Sequence, residues 1–246
     1  MMNARTFPDL LAARLSRDPG QPLVTAYDEQ TGERTELSVT TYANWVAKTA
    51  NLLTDEIGLD EGDTVLLDLP SHWLVPVFMG AAWSAGLAVS TDAETSHELV
   101  VCGPETVESR AGSGEVLACS LLPFAVRFRD ALPVGVHDYG LAWPGQPDVL
   151  LATGASPEAS AWRTADEQHS QAELLELAAG GADAGARLIT DVHPASDRGL
   201  PVWLAPLVAG GSLVLVQQPR DEQWPARLEG ERATAVLRAA AQPPSE

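Results

Sequence analysis

Lysine is almost missing from this chain. Of the 15 basic residues among its 246, 14 are arginine and one, Lys48, is lysine. Any reaction that needs a lysine ammonium must use Lys48 or take place elsewhere. Cysteine is nearly as scarce: Cys102 and Cys119 stand 17 positions apart, without the close spacing of a metal or redox motif, and are expected to be buried thiols. The first 15 residues hold no continuous apolar run of the kind a secretory leader needs. Between Asp68 and Asp92 there is no charged side chain, a gap long enough to cross a bilayer. Pro70, His72, Pro76, Gly80 and Gly86 interrupt it and no basic residues flank it, so a buried helix followed by a buried strand is expected instead of a membrane span. The motifs GxSxG, GxxxxGK[ST] and HExxH are absent, and the five histidines are scattered. No metal site and no catalytic residue is expected from them.

What is present is an acidic, otherwise ordinary globular composition, with 45% apolar and 20% charged residues. A net charge of −19 repels phosphate backbones and argues against nucleic-acid binding. Abundant Ala, Gly, Asp and Pro with Arg in place of Lys is the usage of a GC-rich bacterial genome, and a cytoplasmic location is expected.

The hydrophobic periodicity predicts a helix over 7–15, a hairpin of strands over 22–27 and 35–39, and a helix over 41–57 ended by Gly58. A strand over 64–69, apolar on both faces, a helix over 72–85 and a strand over 87–90 then form a βαβ unit. Further strands are expected at 98–102, 116–119, 149–153, 187–192 and 212–217, with helices at 170–179 and 200–209. The alternation predicts an α/β fold, a layered, mostly parallel sheet flanked by helices. It is expected as one domain over 1–240, with 241–246 a tail.

Four segments, in order, carry a family resemblance: residues 37–46 (LSVTTYANWV), 59–70 (LDEGDTVLLDLP), 77–89 (VFMGAAWSAGLAV) and 199–215 (GLPVWLAPLVAGGSLVL). Together they resemble the N-terminal part of the adenylate-forming enzymes, the acyl-CoA synthetases and nonribosomal adenylation domains. The resemblance implies a phosphate-gripping loop at residues 150–162 (LLATGASPEASAW), with Thr153, Gly154 and Ser156 as its cofactor-binding residues. The family's lysine is not there, and Pro157 and Glu158 stand where the family has glycine and hydroxyls. Ser196 falls nearest a position where the family often has histidine. The family's later nucleotide motifs and its small C-terminal domain are expected to have no counterpart in these residues.

The expectation is thus a truncated, catalytically inactive homologue that acts through binding or assembly, as a homodimer or with a protein partner. No cofactor is expected, with ATP or AMP bound only if a residual site survives. A nucleotide- or acyl-binding module, and an acyl-adenylating enzyme completed in trans by a partner chain, are the alternatives.

Overall fold

A computed structural model describes residues 4–151, 155–196 and 198–239. The chain opens with α1 (Phe7–Arg17), started by Thr6, whose hydroxyl accepts the Asp9 N–H at 3.3 Å. The hairpin β1 (Pro22–Asp28) and β2 (Arg34–Ser38) leads into α2 (Val39–Asn51), capped by Ser38 through the Thr41 N–H. A π-helical turn over Leu52–Glu56 and a left-handed Gly58 end that helix.

The expected βαβ unit follows as β3 (Thr64–Asp68), α3 (Leu74–Ser84) and β4 (Ala88–Ser90). Next come β5 (Leu99–Cys102), α4 (Val107–Arg110), β6 (Glu115–Ala118), β7 (Val136–Asp138) and α5 (Tyr139–Ala142). The last part holds β8 (Ser160–Arg163), β9 (Gln168–Ser170), α6 (Gln171–Ala178), β10 (Arg187–Thr190) and α7 (Gly199–Val208). The elements β11 (Ser212–Gln217), α8 (Trp224–Gly230) and β12 (Ala235–Leu237) complete it.

There are two sheets among the described residues where one was anticipated. The first runs β12-β10-β11-β1-β2 and the second β7-β6-β5-β3-β4-β8-β9. All neighbouring strands are parallel except in the hairpins β1–β2 and β8–β9. Side chains of β3 alternate between two cores. Val65 and Leu67 join a cluster that also draws on β1 and β11 of the first sheet, while Leu66 packs with Val100, Val116 and Val107 beneath α4. Every residue of α3 is buried, as a helix apolar on all sides requires. Its Gly80 lets α2 come close, since a Cβ there would lie 2.3 Å from the Tyr42 hydroxyl.

The expected strand over 149–153 does not form where it can be described: residues 149–151 are irregular, and Ala152 and Thr153 lie outside the described residues. Buried Asn51 takes the place of a neighbouring strand. Its Nδ2 donates to the carbonyls of Pro147 (3.1 Å) and Val149 (2.9 Å), and its Oδ1 accepts the Leu151 N–H (3.0 Å). Replacing Asn51 with leucine strands those three backbone groups and is expected to cost about 2 kcal/mol, read from urea unfolding, with faster amide exchange at Leu151.

Candidate functional site

Parallel strands gather their loops at one end, and the crevice outside their carboxyl ends is where α/β sheets place ligands. Here a cavity of about 450 Å³ opens between the ends of β1 and β11 in one sheet and β3 and β5 in the other. Four carboxylates line it (Asp28, Glu33, Asp68 and Glu105), and no lysine or arginine does among the described residues. Asp68 pairs with Arg110 at 2.8 Å. Asp28 accepts the N–H groups of Gln30 (2.8 Å) and Thr31 (3.2 Å), which shapes the β1–β2 turn.

His72 stands in the wall, 7% exposed. Its Nδ1 accepts the Leu74 N–H at 3.2 Å, which leaves the proton on Nε2, an atom with no partner among the described residues. Burial lowers its pKa to about 4 against the opposing pull of Asp28, so the ring is neutral at physiological pH. His193 has the same tautomer: Nδ1 accepts the Ala195 N–H and Nε2 donates to the Leu69 carbonyl at 3.0 Å. It stitches the loop after β10 to the end of β3. Burial is the first cause that lowers its pKa as well.

The residues singled out in the sequence lie elsewhere. Thr153 and Gly154 lie outside the described residues. Ser156 is exposed, in a turn closed by the Ala159 N–H on its carbonyl at 3.1 Å. That turn feeds β8, which runs parallel to β4, so Ser156 sits on the amino-end side of the second sheet and not in the carboxyl-end cavity. Glu158 faces outward and meets Arg5 at 3.5 Å, an exposed pair worth little. The Pro157 carbonyl accepts the Ala172 N–H at 3.0 Å, tying the turn to α6.

Lys48 is engaged: its ammonium meets Asp148 at 2.8 Å, donates to the Gln146 carbonyl and lies 5.9 Å from the centre of the Trp143 ring. It clamps the segment before Leu150 onto α2. Ser196 caps the start of α7, its hydroxyl donating to the His193 carbonyl (2.8 Å) and accepting the Gly199 N–H (3.0 Å). Both cysteines are buried free thiols, and burial pushes the Cys102 thiol up to about 11. No three His, Cys, Asp or Glu among the described residues stand close enough to hold a metal ion. No helix among them is long and apolar enough to cross a membrane.

No protein-family model matches the chain. A "TIGR03089 family protein" of Mycobacterium tuberculosis (strain ATCC 25618 / H37Rv) is 35% identical over 236 residues, covering 93% of this chain and 96% of that protein. The chain belongs to the TIGR03089 family. Solved structures tell what fold this family member has. An acyl-CoA synthetase of Brucella canis superposes with a TM-score of 0.74 at 16% identity, over 95% of this chain and 52% of that one. The N-terminal domain of FACL13 from Mycobacterium tuberculosis gives 0.71 at 14% identity, over 94% of this chain and 62% of that one. The family member thus spans between half and two thirds of the solved chains it matches. The expected architecture, that of the N-terminal part of an acyl-CoA synthetase, is borne out.

The carboxyl-end cavity with His72 was not singled out in the sequence. One signal could have pointed to it: residues 69–73 directly follow β3, and loops after parallel strands are where such folds bind ligands.

Proposed function

We propose that this protein is a non-adenylating relative of the adenylate-forming enzymes that works through binding or assembly in the cytoplasm. The observation that carries the reading is where its cations are not. Adenylation joins a carboxylate to the α-phosphate of ATP and expels pyrophosphate, so both reacting partners are anionic. The reaction needs positioned cations and backbone N–H groups at the triphosphate. Four carboxylates line the carboxyl-end cavity, and the sole lysine is held by Asp148 and the Gln146 carbonyl. In the loop that resembles the family's phosphate grip, Pro157 removes one N–H donor and Glu158 adds a negative charge. Losing charge stabilisation of this kind costs on the order of a hundredfold in rate for each element removed.

The purified chain, incubated with ATP, Mg²⁺ and a panel of carboxylic acids, is expected to form no acyl-adenylate above the protein-free control. Acyl-adenylate detected by mass spectrometry would overturn the reading. Self-association or a protein partner belongs to the same proposal, and light scattering that showed a monomer at every concentration would remove the homodimer. Because the solved neighbours extend well beyond this chain, completion in trans is a second reading. It predicts activity only after a co-purifying partner is added.

A further inference from the structure

A second cavity, of about 420 Å³, lies between α1, α6 and the carboxyl end of α7. Its apolar walls include Leu10, Leu175 and Val208, and its charged groups are Arg5, Arg14 and Arg17 against Glu176. In a chain of net charge −19, three of the 15 basic residues converge on one hollow.

Arg14 sets the chemistry. It is 3% exposed, and its Nη1 donates to the carbonyls of Leu207 (3.2 Å) and Gly211 (2.9 Å), capping the end of α7. Arg17 has Asp18 at 2.6 Å and Arg5 has Glu158, but Arg14 meets no carboxylate among the described residues. Its Nε is sealed off without a partner among the described residues, and the residue lines the cavity. Desolvation first, and the neighbouring Arg17 second, lower its pKa, with Asp18 pulling the other way. A buried charge without a counter-charge is costly, and an anion entering the cavity would relieve it.

We infer that this cavity binds an amphiphilic anion, with a carboxylate or phosphate-ester head on Arg14 and an apolar body against Leu10, Leu175 and Val208. A small inorganic anion would leave the apolar walls unused. The volume lies within the roughly 300–1,000 Å³ of small-ligand sites. The inference stands apart from the adenylation reading, because neither ATP nor the Ser156 turn enters it.

The test is calorimetric titration of the full chain with decanoate and with decyl phosphate, both below their micelle concentrations, against decanol and decyltrimethylammonium. Saturable binding of either anion, roughly tenfold or more tighter than decanol and with no response to the ammonium, is expected. Binding of one anion and not the other identifies the head group. Arg14→Gln should weaken binding by about tenfold or more, though it also removes the α7 cap. Ala13→Trp fills the cavity from α1 and leaves that cap intact; it should abolish binding while thermal unfolding stays cooperative. Silence with both anions up to about 1 mM, equal binding of decanol, or unchanged binding in a folded Ala13→Trp protein would each overturn the inference.

Discussion

Trp83→Ala is expected to lower the stability of the chain by about 3–5 kcal/mol, the range for deleting a buried aromatic side chain. Trp83 is 1% exposed at the end of α3, and its ring lies 5.3 Å from that of Phe7 on α1. Its Nε1 donates to the Ala161 carbonyl at 2.7 Å, so one side chain joins α1, α3 and β8. Next to it, Gln171 donates to the Trp83 carbonyl (2.9 Å) and accepts the Phe7 N–H (3.0 Å), closing the same junction through α6. Alanine leaves a void that close-packed neighbours fill only in part, and an unpaired carbonyl on β8. Trp83→Phe keeps most of the volume and loses the hydrogen bond, so about 1–2 kcal/mol is expected. Urea unfolding midpoints at unchanged slope measure both, and a loss below about 1 kcal/mol in the alanine variant would contradict this account of the junction.

The second large effect is expected at Glu231, just after α8. Its side chain, 6% exposed, pairs with Arg34 at 3.0 Å and with Arg187, and accepts the Tyr27 hydroxyl. Arg187 also donates to the Glu231 carbonyl (2.9 Å) and to the hydroxyls of Ser212 (3.0 Å) and Thr25 (3.0 Å). The network thus binds β1, β2, β10 and β11 at one place. Burial alone would raise the carboxyl pKa, but hydrogen bonds from Tyr27, Arg187 and Arg34 hold it at about 2.

A folded pKa below the unfolded value of about 4.3 means that the proton binds more weakly in the native state. The resulting stability, about 3 kcal/mol, is complete above about pH 5 and is lost as pH falls toward 2. Glu231→Gln leaves Arg34 and Arg187 with Glu36 as their remaining shared carboxylate, and about 3 kcal/mol is expected to be lost at pH 7. The gap between the two proteins should narrow at pH 3. An equal gap at both pH values would show that the carboxylate charge is not what holds these strands.

Periodicity carried most of the fold. Val65, Leu66 and Leu67 announce a strand covered on both faces, and the apolar run from Leu74 to Trp83 announces a helix with no solvent side. Short elements escaped for a physical reason. In β7, β9 and β12, each three residues long, the ladder and the neighbouring chain decide the conformation, and three residues hold too little pattern to compete. Residues 149–151 erred the other way. Val149, Leu150 and Leu151 have the composition of a strand, but the backbone of Val149 and Leu151 is bonded by Asn51, 98 and 100 positions earlier, which no local pattern reveals.

The amino-acid sequence by itself determined the α/β class, the order of the long elements and the want of lysine, because each is written in local composition and spacing. Tertiary structure alone decided that, among the described residues, there are two sheets, that carboxylates and a neutral His72 meet at their carboxyl ends, and that Arg14 is shut in without a carboxylate bonded to it. Those are facts about distance and burial between residues far apart in the chain. The free energy of a charge depends on what surrounds it in space, and folding settles those surroundings.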